Sequence, residues 1–71
     1  MSDKLVYKII LDNDENRFFL TSIDVKDYLE NNRFMIFKEE NTEEILIINT
    51  DHIVLLSEVK NVSLKSRFIL E

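Results

Sequence analysis

The sequence predicts a mostly β domain of the α+β class, built as a bent antiparallel sheet or a small SH3-like or Sm-like barrel of five to six strands. Two observations support this prediction. Short apolar segments recur along the chain with the two-residue period of strands, and Asn- or Asp-rich segments separate them. The chain has no Gly and no Pro, so Asn and Asp, which tolerate the left-handed conformation, have to form its turns.

Length and composition indicate one soluble globular domain over residues 1–71, with 45% hydrophobic and 32% charged residues. A core of this size seldom supplies more than about 3–5 kcal/mol of stability by itself. Disulfides cannot add to it, because the chain has no Cys. We therefore expect additional stability from self-association, and the Cys-free composition is compatible with a cytoplasmic location.

The first predicted strand is Leu5–Leu11, in which apolar side chains alternate along the segment. Residues 12–16 form a turn, and the aromatic segment 17–20 forms a second strand that completes a hairpin. Residues 1–11 have neither the cleavage site of a signal peptide nor the length of a membrane span. We therefore expect the N-terminal segment to be an ordinary first strand.

One helix is predicted, over residues 24–32. Asp24 is a suitable N-cap, and Asp27, three residues later, resembles the second member of a capping box. Val25, Tyr28 and Leu29 form the apolar stripe of the helix. Its end is assigned to Asn31 or Asn32, in the left-handed conformation that Gly usually takes.

Three further strands are predicted over residues 33–38, 44–49 and 53–59. They are apolar on both faces, unlike the usual half-solvated antiparallel strand. One helix of nine residues, roughly 13 Å long, cannot cover both faces of such a sheet. The second apolar face is therefore predicted to close into a barrel or to meet a partner subunit.

The C-terminal segment, residues 60–71, is predicted to be an amphipathic strand that either packs in its own subunit or is exchanged with a neighbour. It is one of two candidates for self-association, the other being the second apolar face. The side chains assigned to this contact are Val62, Leu64, Phe68 and Leu70.

Familiar catalytic and metal sites lack their components in this sequence. Glycine-dependent phosphate loops are excluded, and His52 is the one side chain with an unperturbed pKa near neutrality. Asp12, Asp14 and Asn16 begin a calcium-loop pattern, but Arg17 stands where that loop requires Gly. We expect no enzyme, no metal and no cofactor, and a hydrogen-bonded structural role for His52.

Charge suggests a second class of function. The net charge is −5, which disfavours nucleic acid as a general partner. Carboxylates concentrate in two segments and form a candidate patch for a basic protein, or one that mimics nucleic acid. Its members are Glu39, Glu40, Glu43 and Glu44 with Asp24, Asp27 and Glu30. A third reading, Sm-like nucleic-acid binding, would use Arg17, Arg33 and Arg67, each followed by Phe.

Three stretches carry a resemblance to a known family: residues 25–31, 33–36 and 47–54, the last of which reads Ile-Ile-Asn-Thr-Asp-His-Ile-Val. They resemble the pattern of a family of short uncharacterised bacterial β-rich domains, over about half of the chain. The resemblance implies a β-rich fold and no activity. The leading functional prediction is a non-enzymatic protein-interaction or regulatory module that forms homo-oligomers through its second apolar face or residues 61–70.

Overall fold

The computed structural model describes residues 4–71, so the first three residues of the predicted N-terminal segment lie outside it. About half of the described residues lie in strands, which confirms the mostly β prediction. In chain order the elements are β1 (Leu5–Leu11), β2 (Asn16–Thr21), α1 (Val25–Asn31), β3 (Phe34–Glu39), β4 (Ile45–Asn49), a 3₁₀ turn (Thr50–His52), β5 (Ile53–Val59) and β6 (Phe68–Leu70). The helix and the first five strands lie within one residue of their predicted bounds.

The strands form one curled sheet in the order β4-β3-β6-β2-β1-β5. The predicted antiparallel pairing is wrong for one strand pair: β6 runs parallel to β2, although it runs antiparallel to β3. The connection after β5 explains this direction. Residues 60–67 return the chain across β1 and β2, so that β6 runs the same way as β5 and β2 and fills the space between two hairpins.

The C-terminal strand is shorter than predicted. Only residues 68–70 are in the sheet, and Asn61 takes a left-handed backbone conformation with φ 60° near the start of the connection. Val62 is exposed, Leu64 and Phe68 are half-buried, and Leu70 is buried. Both edges of β6 are hydrogen-bonded within its own chain, so residues 68–70 have no free edge for a neighbour.

The hydrophobic core lies on the inner, concave face of the sheet. Phe19 is central, since its ring stacks on Tyr7 at a centroid distance of 5.4 Å and lies 4.9 Å from the ring of Phe37. Burial of large aromatic side chains is a main source of folding free energy in a domain of this size. The buried members of the core cluster are Ile9, Phe19, Val25, Met35, Phe37, Ile48 and Leu70.

The helix α1 covers part of the inner face and has the predicted N-cap. The Asp24 carboxylate accepts hydrogen bonds from the N–H groups of Lys26 and Asp27, at 3.1 and 3.3 Å. The predicted left-handed end is wrong, because Asn32 is extended (φ −135°, ψ 137°). Its side-chain amide instead donates to the Tyr28 carbonyl at 2.9 Å, which satisfies a terminal acceptor without a positive φ.

The outer face of the sheet is covered unevenly. Leu20 and Ile69 are neighbours on this face, and Leu20 is nevertheless only 5% exposed. The 60–67 connection crosses here, and its Leu64 lines a groove together with Phe18. The connection therefore shields the outer face around β2, whereas the outer face of β3 and β4 is left uncovered.

Candidate interaction surface

The uncovered part of the outer face is an apolar patch on the β3–β4 hairpin. Every second residue of β3 is buried and the others are exposed, following the pleat of the strand. Four large apolar side chains therefore face solvent, each about half exposed. They are Phe34 (48%), Ile36 (53%), Ile45 (54%) and Ile47 (60%), and we call them the outer patch.

Strand register makes the outer patch continuous. Ile36 lies directly opposite Ile47, and Lys38 lies opposite Ile45. Side chains opposite each other on one face of an antiparallel pair are about 5 Å apart at Cβ, so the isoleucines contact one another. Lys38 forms an ion pair with Glu43 (3.5 Å) and closes one end of the patch with polar groups.

The edge of β4 that faces away from β3 is free within residues 4–71. At one end of the ladder the Glu39 N–H donates to the Glu44 carbonyl at 2.8 Å, and at the other the Thr50 N–H donates to the Arg33 carbonyl at 2.9 Å. Antiparallel partners alternate between bonded and non-bonded pairs, so every second residue of β4 turns its N–H and C=O outward. Those residues are Ile45, Ile47 and Asn49.

The opposite edge of the sheet, formed by β5, differs from β4. The register between β1 and β5 shifts at Ile10/Leu11, which leaves Val54 as an extra residue in a bulge. Val54 and Leu55 are exposed apolar residues, and Glu58 adds a charge to the strand. Bulges and charges are the usual protection of edge strands against pairing, and β4 has neither.

One member of the predicted acidic patch is buried. Glu39 is 4% exposed, and its carboxylate accepts hydrogen bonds from the backbone N–H groups of Thr42 (2.7 Å), Asn41 (3.1 Å) and Arg67 (3.3 Å). Hydrogen bonds from the side chain and backbone of Thr42, with smaller contributions from Asn41 and Arg67, lower the pKa of Glu39 to about 2. Glu39 therefore organises the β3–β4 turn and joins it to the residue before β6.

The other predicted acidic residues differ in their contacts. Glu40 pairs with Arg67, Glu43 pairs with Lys38, and Asp24 caps the helix. Glu44, Asp27 and Glu30 are exposed.

Two of the three arginines considered for nucleic-acid binding pair with carboxylates. Arg17 pairs with Glu15 at 3.1 Å, and Arg67 pairs with Glu40. The backbone carbonyl of Arg33 accepts hydrogen bonds from Thr50. Arg17 and Arg67 are thus each beside a carboxylate of their own chain, which gives little support to phosphate binding.

His52 connects the 3₁₀ turn to the β1–β2 turn. Its Nδ1 lies 2.8 Å from the Asp12 carboxylate, and its carbonyl accepts a hydrogen bond from the Asp12 N–H at 2.9 Å. The hydrogen bond and charge of Asp12, with a smaller effect of Asp51, raise the pKa of His52. Within residues 4–71 we find no group of three or more His, Cys, Asp or Glu side chains that could hold a metal ion.

A shallow cleft of about 390 Å³ lies between the β1–β2 turn and β4. Apolar side chains from β1 and β4 line it together with polar groups from the turns, β2 and β4. The lining consists of Leu11, Leu46, Ile47 and Ile48, with Asp12, Asn13, Glu15, Arg17, Asn49 and His52. The cleft therefore runs beside the free edge of β4.

The sequence predicts two apolar faces on residues 33–49 and leaves open which one is inner. Charged residues could have identified the face that meets solvent, but each face of β3 contains one charged residue. Lys38 lies on the same face of the strand as Phe34 and Ile36. Glu39 lies on the same face as Met35 and Phe37. The buried position of Glu39 resolves this, because its hydrogen bonds come from the turn and from the residue before β6.

Comparison with known proteins adds no assignment: no family model matches the sequence, and no curated protein or solved structure matches it. In the described part of the chain, no helix has the length and apolar character needed to cross a membrane.

Proposed function

We propose that this protein is a non-enzymatic interaction module that self-associates by packing the outer patches of two copies face to face. The observation that supports it is the patch itself: Phe34, Ile36, Ile45 and Ile47 are adjacent and about half exposed, on a strand pair whose inner face is already packed. Contiguous apolar surface of this kind on a small domain usually marks an interaction site.

The area of the outer patch suits a weak dimer. With roughly 200 Å² for a fully exposed large apolar residue, four half-exposed side chains offer about 400 Å² per copy. Two copies and the neighbouring polar atoms would bury about 1,000 Å² in total, at the lower end of specific interfaces. A concentration-dependent dimer with a micromolar dissociation constant is the expected species.

Charge opposes this association. Each copy carries −5, so two copies repel each other while the patch itself is apolar. Added salt screens the repulsion and leaves the apolar contact intact, so dimerisation strengthens with ionic strength. The curl of the sheet and the helix across its inner face support the small-barrel interpretation, SH3-like or Sm-like, as part of the same proposal.

The test is sedimentation velocity of Ile36→Lys over a range of concentrations, with Leu55→Lys as the matched control. Ile36 is 53% exposed in the patch, and Leu55 is 51% exposed on β5, so both variants place the same charge at an equally exposed apolar site. We expect the wild type and Leu55→Lys to shift from the 8.5 kDa monomer toward twice that mass, and Ile36→Lys to stay monomeric. A wild type that is monomeric at millimolar concentration contradicts the proposal.

A further inference from the structure

We propose that the free edge of β4 binds an extended, basic segment of a partner protein by strand addition. The proposal is independent of the face-to-face dimer. It uses the backbone groups of β4 and the adjacent cleft, whereas the dimer uses the outward side chains of β3 and β4.

The backbone of β4 determines the class of ligand. Ile45, Ile47 and Asn49 direct three N–H and three C=O groups away from β3, in the regular spacing of a strand. An extended polypeptide is the ligand that matches six alternating donors and acceptors at this spacing. The strand has no bulge and no charged residue to prevent such pairing, in contrast to β5.

The cleft beside β4 supplies side-chain selectivity. Leu11, Leu46 and Ile48 give it an apolar floor on the inner side of the added strand. Side chains of the ligand that lie opposite Leu46 or Ile48 point to this floor, and those opposite Ile45 or Ile47 point to the outer face. A ligand with apolar residues at every second position therefore fits.

Charge favours a basic partner over a second copy. β4 is preceded by Glu43 and Glu44, of which Glu43 also pairs with Lys38, and it is followed by Asp51. Two copies of β4 could pair in antiparallel orientation through all three outward residues, with Ile47 opposite Ile47 of the second copy. In this register Glu43 of each copy lies opposite Asp51 of the other. Like charges opposite each other destabilise a strand pair, whereas Lys or Arg at both ends of a ligand strand would be attracted.

The probe is the peptide acetyl-Lys-Lys-Val-Thr-Val-Thr-Val-Lys-Lys-amide, added to dilute Ile36→Lys protein so that the face-to-face dimer is absent. The measurement is amide hydrogen exchange by NMR. At a peptide concentration about ten times the dissociation constant, exchange at Ile45, Ile47 and Asn49 should slow about tenfold. Exchange in β5 should not change, and a peptide with Glu in place of Lys should bind at least tenfold more weakly.

Methylated peptides test the hydrogen-bond pattern. When the valine side chains of the peptide lie on the cleft floor, the backbone N–H and C=O groups of its threonines form hydrogen bonds with Ile45 and Ile47. N-methylation of both threonines should therefore abolish binding. N-methylation of the central valine, whose N–H points away from β4, should leave the affinity within a factor of three.

Three outcomes would overturn the proposal: no protection of the three amides, equal effects of the two methylations, or protection of the same amides when the protein alone is concentrated. The last outcome would assign the edge to a second copy. Because the peptide test uses the Ile36→Lys protein, its result does not depend on whether the wild-type protein forms the face-to-face dimer.

Discussion

The two faces of the β3–β4 hairpin contain the same kinds of residue in opposite environments. Ile47 and Ile48 are neighbours in β4, yet Ile47 is 60% exposed and Ile48 is 7% exposed. The pleat alone separates them, since successive side chains point to opposite faces. Apolar residues in this hairpin therefore have two roles: the inner residues stabilise the domain, and the outer residues are available for contacts between molecules.

The matched pair Ile48→Ala and Ile47→Ala should show the largest difference between the faces. Ile48→Ala removes buried methyl groups and leaves a cavity, so the free energy of unfolding should fall by about 2–5 kcal/mol. Ile47→Ala should change it by less than about 1 kcal/mol in the dilute monomer. Urea denaturation followed by circular dichroism measures both, and equal losses would show that the outer patch is covered within the monomer.

A buried polar side chain on the inner face should have the next largest effect. The Thr21 hydroxyl donates to the Leu70 carbonyl at 2.8 Å and accepts from the Ile23 N–H at 3.0 Å, which ties β2 to β6 and to the segment before the helix. Thr21→Val keeps the shape of the side chain and removes both hydrogen bonds, so the free energy of unfolding should fall by about 1–3 kcal/mol. Thr21→Ser keeps the hydroxyl and should recover most of the loss in the same measurement.

Glu39 extends the comparison to charge on the inner face. Its folded pKa of about 2 lies below the ordinary 4.5, so its contribution to stability is present above about pH 4.5 and is lost as the pH falls toward 2. Glu39→Gln should therefore be less stable than the wild type at pH 7, and the difference should shrink steadily below pH 4.5. Thermal unfolding from pH 2 to pH 7 measures this, and a constant difference would contradict it.

His52 represents an exposed polar contact, for which the smallest effect is expected. Asp12 raises the pKa of His52 in the folded protein, so the contribution of this pair is fully present below the ordinary value of 6.5. It is lost as the pH rises through the raised folded value. His52→Gln should therefore differ from the wild type more at pH 6 than at pH 9 in thermal unfolding. Asp12→Asn should give the same pH trend, because it removes the same pair from the other side.

Local signals in the sequence predicted most elements of the fold. Asp24 marks the start of the helix because its side chain can accept the first free N–H groups, and this interaction is local. The alternation in Leu5–Leu11 predicts β1 with its observed bounds. The same alternation predicts a strand over residues 60–67, yet these residues form the connection that carries the chain from the end of β5 to the start of β6.

The candidate interaction surface could be predicted only in part. Two apolar faces on residues 33–49 follow from the sequence, and so does the need to cover the second one. The free edge of β4 does not follow, because strand order depends on β6 pairing with β2 and β3 instead of with β4. The sequence groups Glu39 with exposed carboxylates because its neighbours are acidic, whereas in the structure its carboxylate accepts hydrogen bonds from the turn and from the distant Arg67 N–H.

The sequence alone predicts the class of the domain, the helix with its N-cap and the bounds of the first five strands to within one residue, because these depend on periodicity and capping among near neighbours. Tertiary structure decided which face of the β3–β4 hairpin is inner, the parallel direction of β6 and the exposure of the outer patch and the β4 edge. These features depend on contacts between residues far apart in the chain, such as Thr21 with Leu70 and Glu39 with Arg67. Because the β3–β4 hairpin is apolar on both faces, its sequence pattern does not specify which face packs against the core. The tertiary contacts decide this.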